Sequence, residues 1–141
     1  MDFMTSFKIS GSGLAAQRAK MDIITSNLAN VNTTRTAEGG PYKRKTITLA
    51  AEPVEGNFDS VIKDAIKSVK IEAVTEDPNG VKTIYDPAHP DADANGNVAM
   101  PNINVVQEVA DMITVGRAYE ACVTALDATK NMAQKTLEIG Q

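Results

Sequence analysis

Residues 102–138 read NINVVQEVADMITVGRAYEACVTALDATKNMAQKTLE, and their reading decides the fold. Pro101 precedes them, no proline interrupts them, and Gly116 is the one glycine inside. Val105, Val109, Met112, Gly116, Tyr119, Val123, Leu126, Lys130, Ala133 and Leu137 follow alternating steps of four and three. That is the period of a coiled-coil seam, and all but Gly116 and Lys130 are apolar. Asn102 or Asn104 can cap the start with a side-chain oxygen, and Gly140 can end the run. A helix of about 35 residues is roughly 50 Å long, more than a small domain covers by itself. The seam therefore asks for a partner.

The partner is expected at the other end of the chain. Phe3, Phe7, Ser10, Leu14, Gln17, Met21, Ile24, Leu28 and Val31 repeat the same spacing. Two heptad-patterned helices at opposite termini predict an α+β fold. Long N- and C-terminal helices pair as a coiled-coil-like antiparallel hairpin, with a small β-rich insert between them. The expected divisions are 1–35, an N-terminal helical arm; 36–101, a β-rich middle domain; and 102–141, a C-terminal helical arm.

The spacing predicts a first helix over 5–31, weakened at Ser10-Gly11-Ser12-Gly13 so that it starts firmly near Leu14. Residues 35–42 are a loop punctuated by Gly39, Gly40 and Pro41. Residues 43–52, KRKTITLAAE, alternate as a strand with Lys45, Ile47 and Leu49 on one face. Residues 58–67 carry a short helical pattern. Residues 69–76 and 81–86 are expected to form a hairpin around Asp77-Pro78-Asn79-Gly80, whose Pro and Gly suit a turn. A polar loop follows over 86–97, then a short strand at 98–100.

Composition narrows the function. The chain has 141 residues, a net charge of −4, no tryptophan, three tyrosines and three phenylalanines. The core is expected to be thin and aliphatic. Excess negative charge argues against nucleic acid, which asks for a basic face, and against an anionic membrane surface. No stretch approaches 18 apolar residues, so no transmembrane helix and no direct membrane insertion are expected. The opening MDFMTSFKIS has an early Asp2 and no apolar signal core, which by composition points to the cytoplasm. Cys122 is alone, so no intrachain disulfide forms, and it reads as a small hydrophobe within a helix.

Residues that could carry chemistry are few. Asp91, Asp93, Asn95 and Gly96 match positions 1, 3, 5 and 6 of a calcium loop, but position 12 is Asn102 instead of Glu. A solvated turn is the better reading. His89 is the one histidine and cannot build a zinc site. No nucleophile–base pair stands beside it, so no enzyme, no cofactor and no metal are expected. Lys43-Arg44-Lys45 reads as a solvated strand edge, or as a contact for an acidic partner.

What remains is surface. A two-helix hairpin buries one face, and Val106, Ala110 and Ile113 with Ile9, Ala16 and Ile23 add apolar character beyond the seams. Such an excess marks assembly with itself or with other chains. The expected interface residues are Leu14, Gln17, Met21, Ile24, Asn27, Leu28, Asn30 and Val31 on the first helix. On the last they are Val105, Val109, Met112, Gly116, Tyr119, Val123, Leu126 and Leu137. The other reading is a two-helix adaptor that binds one partner in its groove without polymerising.

Residues 12–33, SGLAAQRAKMDIITSNLANVNT, resemble the N-terminal signature of the bacterial flagellar axial proteins, which form rod, hook and hook junction. Ser12, Gly13, Leu14, Ala16, Gln17, Met21, Asn27, Leu28, Ala29, Asn30, Asn32 and Thr33 carry it. TTRTAEGGPYKRK, YDPAHPDAD, NVAMPNINVVQEVADMI and RAYEACVTALDATKNMAQKTLEIG resemble the proximal-rod type within that family. Thr34-Arg35-Thr36 stands where hook and distal-rod subunits often continue with Thr-Pro-Gly-Phe. The resemblance implies a structural subunit that stacks helically into a drive shaft crossing the periplasm, transmitting torque for motility. It implies export through the flagellar type III apparatus without a cleaved signal peptide. The implied partners are further copies and other rod proteins (FlgB and FlgF of the proximal rod, FlgG of the distal rod). They also include the basal-body adaptor FliE, the flagellar export gate and the rod cap FlgJ. Terminal helices that pack between subunits would leave a free subunit's arms poorly ordered, with order gained on assembly.

Overall fold

In a computed structural model of the chain, residues 3–53 and 66–140 are described. Helix α1 runs over Phe3–Ala29 and helix α2 over Val105–Ile139. Between them lie strands β1 (Lys45–Pro53), β2 (Lys67–Glu76), β3 (Val81–Tyr85) and β4 (Asn97–Pro101). Two long helices with a small antiparallel insert are the architecture expected from the heptad spacing.

α2 starts at Asn104, whose side-chain Oδ1 accepts from the N–H groups of Val106 at 3.1 Å and Gln107 at 3.3 Å. Two orphan donors of the first turn are thereby satisfied. Asn102 acts elsewhere: its N–H donates to the Gly80 carbonyl at 2.8 Å and its amide to Asn79 O at 3.2 Å. Gly140 closes the helix, donating to Leu137 O.

α1 is unbroken through Ser10–Gly13, contrary to the weak start expected there. Packing overrides propensity at these positions. A Cβ on Gly13 would lie 3.4 Å from Cys122 Sγ on α2, so the missing side chain lets the helices approach. Ser12 Oγ donates to Ile9 O at 2.8 Å and accepts from the Val69 N–H of β2 at 3.2 Å. α1 ends at Ala29, two residues before the expected limit.

The helices run antiparallel in one register. Asn27 meets Glu108, Gly13 lies opposite Cys122, and Phe3 and Ser6 share a groove with Thr129 and Ala133. The most enclosed positions of α2 are Glu108, Val115 and Thr129, with Cys122 half-buried between them. These follow the heptad step but sit one residue away from the apolar row that begins at Val109. Val105 and Val109 are exposed.

The insert departs from expectation in its pairing. β1 pairs with β2 and β3 with β4, each as a separate two-stranded antiparallel sheet, so β2 and β3 do not form a hairpin. Asp77–Gly80 is a turn, with Gly80 N–H donating to Asp77 O at 3.0 Å. It is tied on both sides, since Asp77 N–H donates to Arg44 O and the Gly80 carbonyl accepts from Asn102. A Cβ at Gly80 would sit 2.8 Å from Asp77 O and 3.2 Å from Arg44 N. The turn is thus a corner between sheets, wedged against the entry to β1. In the first sheet the register steps between Thr48 and Leu49, which pair with Ala73 and Ile71 and leave Glu72 as the extra residue of a bulge. The half-buried positions of β1 are therefore Lys45, Ile47 and then Ala50, with Leu49 exposed instead of sharing their face. The helical pattern over 58–67 lies outside the described residues up to 65, and Lys67 already belongs to β2.

Buried side chains gather where the insert meets the helices: Ile24 and Asn27 on α1, Tyr42, Val98 and Pro101 in the insert, and Ile103 and Glu108 at the entry to α2. That junction positions everything else.

Candidate assembly interface and the joint that orients it

At the junction the end of α1, the entry to β1 and the first turn of α2 converge on Asn27, which is 1% exposed. Its Nδ2 donates to Lys45 O at 2.9 Å and to Glu108 Oε2 at 3.1 Å. Its Oδ1 accepts from Lys45 N–H at 2.9 Å and from the Tyr42 hydroxyl at 3.0 Å. One amide thereby pairs with a strand backbone as another strand would, while bridging to the opposite helix.

Glu108 is equally buried, at 1%. Arg44 Nε donates to its Oε1 at 2.6 Å, and Asn27 occupies Oε2. A buried carboxylate costs several kcal/mol unless it is paired and hydrogen-bonded, and both conditions hold here. Tyr42 adds a hydrogen bond with Ser26 Oγ, and its N–H donates to Thr33 O. Asn30 Nδ2 donates to Ser26 O and Asn30 Oδ1 accepts from Thr33 Oγ1. Among the described residues no buried side-chain nitrogen or oxygen lacks a partner.

The basic triplet is consequently no plain solvated edge. Arg44 pairs with Glu108, Lys43 lies 3.7 Å from Glu76, and Lys45 sits over the Tyr42 ring at 5.8 Å. The calcium-like loop is held by its own bonds. Asp93 Oδ1 accepts from Asn95 N–H and Asn97 N–H, each at 2.8 Å, and Asp91 Oδ2 accepts from Thr34 Oγ1 at 2.7 Å. Among the described residues no group of three or more His, Cys, Asp or Glu side chains is placed to hold a metal ion. No helix among them is long and apolar enough to cross a membrane.

The sixteen expected interface residues divide by location. Ile24 and Asn27 are buried within the chain. Leu14, Gln17, Met21, Leu28, Asn30 and Val31 on the α1 side are half-buried, as are Met112, Gly116, Tyr119, Val123 and Leu126 on α2. Val105, Val109 and Leu137 are exposed. Val106, at 79% exposed, and Ile113 extend the outward apolar row at the start of α2. At the far end Phe3, Thr129, Met132, Ala133 and Leu137 line an open, mostly apolar groove of about 450 Å³.

Glu108 and Tyr42 were not among the residues singled out from sequence; Arg44 stood there within a basic triplet and Ser12 within the N-terminal signature, neither with its observed partner. A signal for Glu108 existed, because it heads the row Glu108, Val115, Cys122, Thr129 at heptad spacing. Nothing in sequence spacing connects that row to Arg44, which lies 64 residues away.

Comparison with known proteins bears on the same segments. Residues 7–35 match the family described as flagella basal body rod protein. Residues 94–139 match the flagellar basal body rod FlgEFG protein C-terminal family. The chain is 41% identical to the flagellar basal-body rod protein FlgC of Bacillus subtilis, over 96% of this chain and 97% of that protein. Identity to FlgC of Borreliella burgdorferi is 39%, over 100% and 99% of the two chains. Identity to FlgC of Salmonella typhimurium is 36% over the full length of both.

Proposed function

The chain belongs to the FlgC family of flagellar basal-body rod proteins, and on that premise we propose that it is a proximal-rod subunit whose helices transmit torque across the periplasm. It is a structural component of the basal-body rod serving motility, in a family that is not an enzyme class. Such a protein assembles with other rod and basal-body proteins. In our reading these are further copies, FlgB and FlgF beside it, FlgG distally, FliE at the base, and the rod cap FlgJ during growth. The subunit reaches the periplasm through the flagellar export gate without a cleaved signal peptide. Residues 1–35 and 102–141 serve as arms of one helical core and 36–101 as the outer domain.

The observation that carries this reading is the outward apolar row on α2. Val105, Val106, Val109 and Ile113 are exposed on one end of the helix, and Met132, Leu137 and Ile139 on the other. A helix pair that has closed its inner line and still presents such rows is built to be covered by neighbours. The half-buried positions from Leu14 to Val31 and from Met112 to Leu126 complete the proposed contact set as neighbours stack along the pair.

The test is Val109→Asp with Leu137→Asp, expressed in a strain lacking its own copy. Export is read from the periplasmic fraction, incorporation from isolated basal bodies, and motility from soft-agar swarm radius. Export should persist while incorporation and swimming are lost. Normal incorporation and swimming would remove α2 from the assembly surface. A soluble one-to-one complex with a single rod protein would favour the adaptor reading.

A further inference from the structure

We propose that the Asn27–Glu108–Arg44 network is a register lock, selecting one antiparallel alignment of α1 and α2 from heptad-shifted alternatives that the apolar contacts tolerate. The inner line of α2 offers Val115, Cys122 and Thr129 at successive heptads, three side chains of similar size. Opposite Cys122 stands Gly13, which has no side chain to reject any of them. A slip of one heptad brings Cys122 beside Ser6 or beside Lys20, and leaves Gly13 facing Val115 or Thr129. Neither arrangement meets a steric barrier at Gly13. Seams of this kind specify alignment weakly, and a buried polar contact is the usual device that resolves it.

Glu108 is the one charged side chain fully buried among the described residues. Either slip separates it from Asn27 and Arg44. In one direction Val115 faces the Asn27 amide and leaves its donor unanswered. In the other, Glu108 lies against Lys20 and Asn27 faces the residues ahead of α2. Arg44 and Lys45 belong to the entry of β1, where Lys45 holds Asn27 and Arg44 holds Glu108 from the strand side. The lock thus fixes three elements at once: the two helices and the sheet that departs from them. It therefore sets where the Phe3 end of α1 meets Thr129, Met132 and Leu137 of α2, and so the shape of the groove those residues line.

Cys122 is the single cysteine of the chain, so one added cysteine reports the register of the full-length protein. Gly13→Cys reads the native alignment, Ser6→Cys and Lys20→Cys the two slips, and exposed Arg18→Cys is a control. With the network intact, diamide oxidation should close the Gly13→Cys monomer roughly a hundredfold faster than either slip reporter, the ratio that breaking a buried pair implies. Asn27→Leu with Glu108→Leu removes the polar choice while keeping the site filled and helicity retained. In that background one slip reporter should close at a rate comparable to Gly13→Cys, with the control still slow. Slip reporters that stay slow in a helical Leu pair would overturn the proposal. So would general loss of helicity with all four reporters closing alike, because the network would then supply stability without choosing a register. Arg44→Ala gives a second reading: slip closure should rise, and Arg44→Lys should partly reverse it. Unchanged closure in Arg44→Ala would also overturn the lock.

Discussion

Asn27→Ala is the substitution on which the account of the joint stands most directly. It removes four hydrogen bonds together: two to the backbone of Lys45, one to Glu108 Oε2 and one from the Tyr42 hydroxyl. The contacts to Glu108 and Tyr42 are buried, and leaving such groups unsatisfied costs about 1–3 kcal/mol each, more for a charge. The Lys45 contacts are partly buried and contribute about 0.5–1.5 kcal/mol each, some of which water in the vacated space restores. The expected loss is about 3–5 kcal/mol, a large share of the ~5–15 kcal/mol that holds a small domain folded. Urea unfolding of the full chain, followed by circular dichroism at 222 nm, measures it. Asn27→Asp should be worse than Asn27→Ala, because it deletes the donor and sets a second carboxylate beside Glu108. A loss under about 1 kcal/mol for Asn27→Ala, or an Asn27→Asp chain more stable than the alanine variant, would refute the reasoning.

Other outcomes follow from single sites. Arg44→Ala strands a buried Glu108 and should cost about 3 kcal/mol in the same assay, with Arg44→Lys losing less. A Cβ on Gly11 meets nothing within 4 Å, so Gly11→Ala should stabilise α1 by about 0.5–1 kcal/mol, whereas Gly13→Leu should destabilise by about 1–3 kcal/mol by driving α2 away. Gly96 has φ 77° and a Cβ there would stand 2.9 Å from Tyr85 Cε2, so Gly96→Ala should lower the thermal midpoint, with a cost of about 1–3 kcal/mol. Val106→Asp with Ile113→Asp should leave the monomer's unfolding free energy in urea within about 0.5 kcal/mol of native while abolishing swimming.

The helices were legible because long heptad spacing, Asn104 and Gly140 are local signals that agree with one another. The strands were legible as segments for the same reason, but their partners were not. Asp77-Pro78-Asn79-Gly80 has hairpin chemistry, and the turn forms. What sends β3 away from β2 is its attachment to Arg44 on one side and Asn102 on the other, neither of which is a neighbour in sequence. One of the two heptad rows of α2 was displaced by one residue for a related reason, while Met112, Tyr119, Leu126 and Ala133 of the expected seam are half-buried. Apolar period marks every face that is to be covered, and on this helix the outward row is the more apolar one. The inner line is built from Glu108, Val115, Cys122 and Thr129, half of them polar. Asn27 was visible within a motif; its role became visible once Glu108 and Lys45 stood beside it.

The joint also determines how a sideways push on the insert is carried. Asn27 on α1 and Glu108 on α2 lie at the same level, and the first sheet holds both through Lys45 and Arg44. A load arriving through that sheet enters both helices abreast. It loads these bonds in parallel, in shear, so that they must yield together. Had the sheet been fastened to one helix alone, the same load would peel the pair apart from its end, one contact after another, at far lower force. Anchorage to both helices at one level lets a slender two-helix shaft bear a lateral appendage without being unzipped by it.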